Sequence, residues 1–500
     1  MSNKNSFPEI SVFETILDTR EMLKSPVVVF EKYRKKLGPT FKLRFGVRST
    51  IVTGDPELLK HVLKDNNDNY HKSHIQTERF VEFQGVGLTN SHGDYWLRQR
   101  KLLSMGFTRG RLSEILPIQI KVLEDFMSDF DKASSKGIVD IHDQMVRFTL
   151  RSVGKSLFGS QMSEEELEKF ANAIAEIQRY IVKKVVQPYL MPWFYITGQD
   201  KKYHKIREEG DQIILNYIEE RRKSKDKGSD ILELILSTPY KGTDEFMTDE
   251  KVKVEILQLL VAGNETSTTA ATWIFYILSR QPECVTKMRQ EIEETFGDQE
   301  IDYNRLHNLK YSIAVMDECM RIYPPFWMID REAQNDDEFR GIKIPKGTTV
   351  IPYIYGVHHN PEVWENPEIF DPSRFEEGKA KNIHPFAHIP FGGGPRVCIG
   401  QNMAKMQILL VVSAIVRNYD FELVDKKDIG LHAMMLLKPE GEVNMRFTPI
   451  SKNEIATSKL FFLILQVVIF FNQTFNVMNV RCSQIINRID FGYFLDWIFN

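Results

Sequence analysis

Of the four cysteines in the chain, Cys398 stands in a stretch suited throughout to presenting a thiolate: Phe391-Gly-Gly-Gly-Pro-Arg396-Val-Cys398-Ile-Gly400. A thiolate bound axially to a haem iron pushes electron density onto the metal and favours O–O cleavage, which oxygen insertion into a C–H bond requires. Gly394 and Gly400 allow turns and close backbone approach that a Cβ would block. Main-chain N–H groups can then point at the sulfur and temper its charge. Arg396, two residues ahead of the ligand, suits a carboxylate such as a haem propionate, and Phe391 closes the other side of the loop as an apolar lid. A glycine turn with an incidental buried cysteine would explain Gly-Gly-Gly-Pro alone. It does not explain the arginine, the cysteine and the last glycine at these spacings.

A second constellation is Ala262-Gly263-Asn264-Glu265-Thr266-Ser267, in the middle of a long helical run. Glycine there costs about 1 kcal/mol relative to alanine, and close approach of the backbone to a flat cofactor supplies a reason for Gly263. Thr266 can bond back to the carbonyl of Ala262, which bends a helix and leaves a notch for O2 and water. Glu265 beside it supplies a carboxylate for proton relay.

The Cys398 segment matches the haem-ligand signature of the cytochrome P450 family, FxxGxRxCxG, at every fixed position, and the chain resembles that family from roughly residue 25 to 450. The resemblance implies a mainly α fold with small β-sheets, triangular in outline, with a long central helix over haem b. It assigns the iron to Cys398, with Phe391, Arg396 and Gly400 around it and Ala262 and Gly263 against the cofactor. Glu265 and Thr266 become an acid–alcohol pair that delivers protons to the dioxygen being reduced. Trp96-Leu-Arg-Gln-Arg100, after Ser91-His92-Gly93-Asp94, is similar to the family helix whose tryptophan and arginine bind a propionate. Arg331, after Pro324-Pro325, matches another propionate partner; an indole N–H and guanidinium groups suit a buried carboxylate. Glu318-Cys-Met-Arg321, with Arg374 in Pro372-Ser-Arg374-Phe375, matches a buried network of structural rather than oxidative role. The same resemblance nominates Phe80, Val81, Phe83, Leu259, Ala262, Phe326, Trp327 and Met328 as an apolar pocket, and Pro188–Tyr195 as an entrance lid.

These residues need elements to position them. Thr40–Phe45 and Ser49–Thr53 alternate apolar and polar residues about a glycine-containing turn and predict a β-hairpin. Thr248 to Arg280 predicts one long helix, with Thr248 as N-cap, Asp249 and Glu250 in its first turn and Pro282 as its stop. Short strands are expected near Gly341–Ile351 and Val443–Phe447. The expected organisation is one catalytic domain over 1–450 and an atypical apolar tail over 451–500, to which no chemistry is assigned.

Composition narrows the function. Against 68 Asp+Glu stand 65 Lys+Arg, so nothing argues for nucleic acid. Cys284, Cys319, Cys398 and Cys482 have neither metal-finger nor disulfide spacing, which suits a reducing cytoplasm. The N-terminus has no apolar run long enough for a signal or a spanning segment, unlike the microsomal members of the family, so a soluble bacterial-type enzyme is expected. The reading is a haem-thiolate monooxygenase that inserts one atom of O2 into a lipophilic substrate, a fatty acid or terpenoid. No reductase domain or iron–sulfur cysteine cluster is fused, so electrons from NAD(P)H must arrive through a separate ferredoxin or flavodoxin. Lys101, Arg109, Arg111 and Lys405 are candidates to meet that acidic partner. A peroxide-driven peroxygenase, an isomerase or a non-catalytic haem carrier are the alternatives; the first two typically lack the acid–alcohol pair.

Overall fold

The computed structural model describes residues 6–450 except 46–47, 160–161, 226–227, 298, 300, 377–378 and 380–382. The tail 451–500 lies outside the described residues. Contacts divide the chain into Met1–Arg417 with Phe421–Phe447, and Asn418–Asp420 with Thr448–Asn500. Of the second unit the described part is a short backbone pairing, in which Ile450 N–H donates to the Asn418 carbonyl at 3.0 Å. Every candidate site residue belongs to the first unit.

The expected hairpin is present: Thr40–Phe45 pairs antiparallel with Arg48–Thr53, from Thr40 opposite Thr53 to Phe45 opposite Arg48. It is one edge of a five-stranded sheet. Arg48–Thr53 runs parallel to Thr349–Pro352, which pairs antiparallel with Arg331–Ala333. Arg331–Ala333 in turn pairs with Tyr70–His71, setting His71 opposite Glu332. This register matters for function, because it brings Lys72 beside Arg331 across a sequence gap that no local pattern spans. The strands expected near 341–351 belong to two sheets: Ile342–Ile344 closes a separate hairpin with Asp337–Phe339.

The central helix is Asp249–Leu278, 30 residues, or about 45 Å. Thr248 holds the extended N-cap backbone, but its side chain makes no capping bond. Asp249 and Glu250 supply the negative charge that the first turn favours. From Ser267 to Leu278 the helix is buried all round, as a helix through the middle of a protein must be, with its threonine hydroxyls hydrogen-bonded. It packs along Ile141–Phe158, and buried hydroxyls fix the register of the pair. Thr149 Oγ1 donates to Asn264 Oδ1 at 2.8 Å and lies 2.6 Å from Thr268 Oγ1. Among the described residues, no helix is long and apolar enough to cross a membrane.

Candidate active site

Cys398 occupies an irregular loop ahead of the helix Gln401–Asn418. Its N–H donates to the Phe391 carbonyl at 2.9 Å, and Val397 N–H to the Gly394 carbonyl at 3.1 Å, so the backbone bonds are made inside the loop. Gly394 has φ +68°, and a Cβ there would collide with the Leu63 carbonyl; glycine is required twice over. Gly400 is different. Its φ is not left-handed, and an added Cβ would meet Phe107 at 3.7 Å, an ordinary contact, so crowding by protein atoms does not explain it. Its N–H bonds the Cys398 sulfur. Burial pushes the Cys398 thiol up, while that N–H and the Arg100 guanidinium pull the other way. The side chain is nevertheless open to space. Both hold if the sulfur lines the wall of an internal hollow.

Four cations gather there: Lys72, Arg100, Arg331 and Arg396. Arg396 lies over the Trp96 ring at 3.9 Å and donates to the Ser91 carbonyl at 2.7 Å. Burial, then Arg331 and Arg100, push its pKa down to about 10. Arg331 is 3 % exposed, depressed by burial, and its side chain donates to the Asp330 carbonyl at 2.7 Å. Burial also lowers Arg100. Lys72 falls to about 7, by burial first and then by repulsion from Arg331. Asp330 is the carboxylate that Lys72 and Arg331 feel, and its own oxygens are taken by Ser73 and Gln76. Among the described residues none of the four cations has an ion pair. Buried charge of one sign needs a partner of the other, so this wall fits a ligand bearing carboxylates. Set beside a soft sulfur that takes iron, the donor set fits haem and its two propionates.

Lys72 gives a test. Between about 7 and its ordinary 10.5, the unfolded chain holds a proton that the folded, haem-free chain lacks. The stability of the haem-free protein therefore rises with pH across that window. Lys72→Met is expected to flatten this rise, to stabilise the haem-free protein at neutral pH and to speed haem loss several-fold. Urea unfolding against pH and haem transfer to a scavenger protein measure the two effects. Unchanged haem retention would leave Lys72 no role beyond packing.

On the central helix, Ala262 is exposed in the middle of a largely buried element, and Thr266 Oγ1 donates to its carbonyl at 2.7 Å, as expected. Gly263 also has a packing reason: a Cβ there would press on Val153 at 3.0 Å, so glycine lets the helix close on Ile141–Phe158.

The structural network is present and extends further than expected. Arg321 grips Glu318 through Nε and Nη2 at 2.7 and 2.8 Å, with both side chains fully buried. Arg374 stands farther off, its Nε 3.5 Å from Glu318 Oε1. His358 joins the network to the cysteine loop: its Nδ1 meets the Arg321 carbonyl at 3.1 Å, and Ile389 N–H donates to its Nε2 at 3.0 Å.

Several pocket nominations are corrected by packing. Trp327 is fully buried, its Nε1 donating to the Met434 carbonyl at 3.0 Å, among Phe30 and Tyr353. Met328 packs on the same core. Phe83 is enclosed by Tyr180, Ile181 and Phe194. Phe80 packs against that second cluster, Val81 and Leu259 are half-buried, and Phe326, like Ala262, is exposed. In the expected lid, Phe194 is buried while Tyr189, Trp193 and Tyr195 are exposed. Of the cations expected to meet a partner, Arg109 donates to Asn304, Arg111 pairs with Glu114 at 2.5 Å and Lys405 with Asp317 at 2.8 Å; Lys101 is exposed.

The cytochrome P450 family model matches residues 6–447, and the chain belongs to that family. It is 28% identical over 414 residues to Cytochrome P450 716A67 of Medicago truncatula, covering 79% of this chain and 78% of that one. To Cytochrome P450 4F5 of Rattus norvegicus it is 30% identical over 399 residues, covering 75% and 76%. The haem domain of cytochrome P450DA superposes with a TM-score of 0.79 at 23% identity, covering 86% of this chain and 94% of that structure. Fold and family define a haem-thiolate monooxygenase.

Proposed function

We propose that the chain uses haem b, held by Cys398 and by the cations Lys72, Arg100, Arg331 and Arg396 with Trp96, to hydroxylate a lipophilic substrate, a fatty acid or terpenoid, in the cytoplasm. When bound, the haem supplies an iron whose thiolate ligand favours O–O cleavage. The observation that carries the reading is the pairing of the open Ala262 face with Glu265 and Thr266 one turn on. Ala262, Leu259, Val81 and Phe326 offer an apolar surface to substrate and exclude water from it. The Thr266 hydroxyl, held on the Ala262 carbonyl, can accept from a water in the notch while Glu265 supplies protons to it. The catalytic unit is assigned to 1–450, with the tail 451–500 outside the chemistry.

Electrons from NAD(P)H come through a separate ferredoxin or flavodoxin. Supporting this, Arg109, Lys310 and Lys405 lie close enough together to lower His307, after burial, by repulsion. Such a basic patch suits an acidic carrier.

Thr266→Ala is expected to leave haem binding intact and to lower product per NAD(P)H on the order of tenfold, the balance of reduced O2 leaving as hydrogen peroxide. Product driven by added peroxide should change little, since peroxide already carries its protons and both electrons. The two yields are compared with a surrogate ferredoxin or flavodoxin system. Equal losses on both routes would sink the proton-delivery role and make Thr266 a packing residue of the long helix.

A further inference from the structure

The Glu265 carboxylate is clamped from two elements outside its own helix. Gln178, on the helix Glu164–Val186, is 8 % exposed. Oriented as its neighbours require, its side-chain nitrogen donates to both Glu265 oxygens, at 2.7 and 3.0 Å; the opposite orientation would set oxygen against oxygen. From the strand Leu437–Pro439, the Lys438 ammonium stands 3.5 Å from Glu265 Oε2. Behind Lys438 lies His142, on Ile141–Phe158, whose pKa burial and then Lys438 depress, so the imidazole adds no second cation. The Glu265 carbonyl is bonded in its turn by Thr269 Oγ1 at 2.8 Å. A carboxylate on a glutamate stem has several rotamers; with one amide and one ammonium fixed on it, this one has a single aim.

We propose that Gln178 and Lys438 are positioning residues for proton delivery: they fix the aim of the carboxylate of Glu265, the residue before Thr266, and so set the fraction of reduced O2 that becomes product. The proposal rests on Glu265 and Thr266 being the proton path. In that reaction one oxygen atom enters the C–H bond and the other leaves as water. Two electrons come from the carrier and two protons from solvent through Glu265. A carboxylate that swings away leaves electron supply intact but loses the directed proton delivery; O2 then takes its two electrons with two protons from unordered water and leaves as hydrogen peroxide, giving no atom to the substrate. Because Gln178 and Lys438 come from separate elements, each should matter alone.

The test uses the haem-loaded protein and five variants: Gln178→Leu, Lys438→Met, Lys438→Arg, Glu265→Gln and the double variant Lys438→Met with Glu265→Gln. The antisymmetric carboxylate stretch of Glu265, isolated by infrared difference against Glu265→Gln, should shift in Gln178→Leu and Lys438→Met. The haem spectrum should not change. Product per NAD(P)H should fall by roughly a factor of ten in these two variants, against roughly a hundred for loss of the acid itself. Lys438→Arg should restore most of it, and Lys438→Met should add nothing in a Glu265→Gln background. If Glu265→Gln uncouples while Gln178→Leu and Lys438→Met do not, the positioning role is wrong and the proton path stands. An infrared band that stays put in both variants would likewise overturn the clamp. If Glu265→Gln couples as wild type, the proton path itself falls and takes this proposal with it.

Discussion

Cys398→Ser loses the strongly red-shifted Soret band that reduced, carbon-monoxide-treated haem shows with a thiolate ligand, and with it turnover. A serine hydroxyl is a hard, weakly acidic donor and cannot replace a soft, electron-rich sulfur on the iron. The loop should survive the change, because its fixed bonds are backbone ones: Cys398 N–H to the Phe391 carbonyl and Val397 N–H to the Gly394 carbonyl. The cation wall of Lys72, Arg100, Arg331 and Arg396 also stays, so haem is expected to bind in the variant with an altered spectrum. Cys319→Ser serves as the control. Cys319 is 1% exposed and burial holds its thiol well above the ordinary range, so it should leave the band in place. A red-shifted band at full intensity in Cys398→Ser would remove the ligand assignment.

The cysteine loop was legible because its chemistry is local. Cys398, Arg396 and Gly394 fall within five residues of one another, and type and spacing carry the meaning without any knowledge of the fold. The central helix was legible for a similar reason, since its length and stop are written in one continuous run. Lys72 was not. Its significance comes from the antiparallel register of Tyr70–His71 against Arg331–Ala333, and nothing near Lys72 in the chain marks it as more than a surface lysine. The Tyr70–His71 strand signal was the available hint, and it is two residues long. His358 was hidden in the same way, between two bonds to distant backbone. Gly263 does need a reason, and the side chain of Val153 supplies one that no local pattern carries. Trp327 shows the converse error: an aromatic beside a pocket residue in sequence can face the other way, into the core.

The same dependence on distant partners makes the Glu318–Arg321 pair the most sensitive structural point near the site. Both side chains are fully buried, and the loss of one partner strands the other charge in a region without water. Glu318→Ala is expected to destabilise the protein by about 3–5 kcal/mol and to lose haem even though Cys398 is untouched. The path to the haem loop is explicit. Arg321 also donates to the carbonyls of His358, Pro367 and Ile369, and Glu318 accepts Asp371 N–H at 2.9 Å. His358 must be neutral to accept from Ile389 at Nε2 while donating from Nδ1 to the Arg321 carbonyl. Burial, then His388 and His359, hold its pKa well below the ordinary range, so it stays so. Ile389 begins the turn that leads to Phe391. Replacing both partners, as Glu318→Leu with Arg321→Met, removes the stranded charge and should recover part of the loss. Full recovery is not expected, because several backbone groups then lack partners at about 1–3 kcal/mol each. Urea unfolding of Glu318→Leu, Arg321→Met and the double variant, read with the carbon monoxide spectrum, separates these contributions. Glu318→Ala within about 1 kcal/mol of wild type, with its red-shifted band intact, would mean that the pair neither stabilises the fold nor holds the cysteine loop.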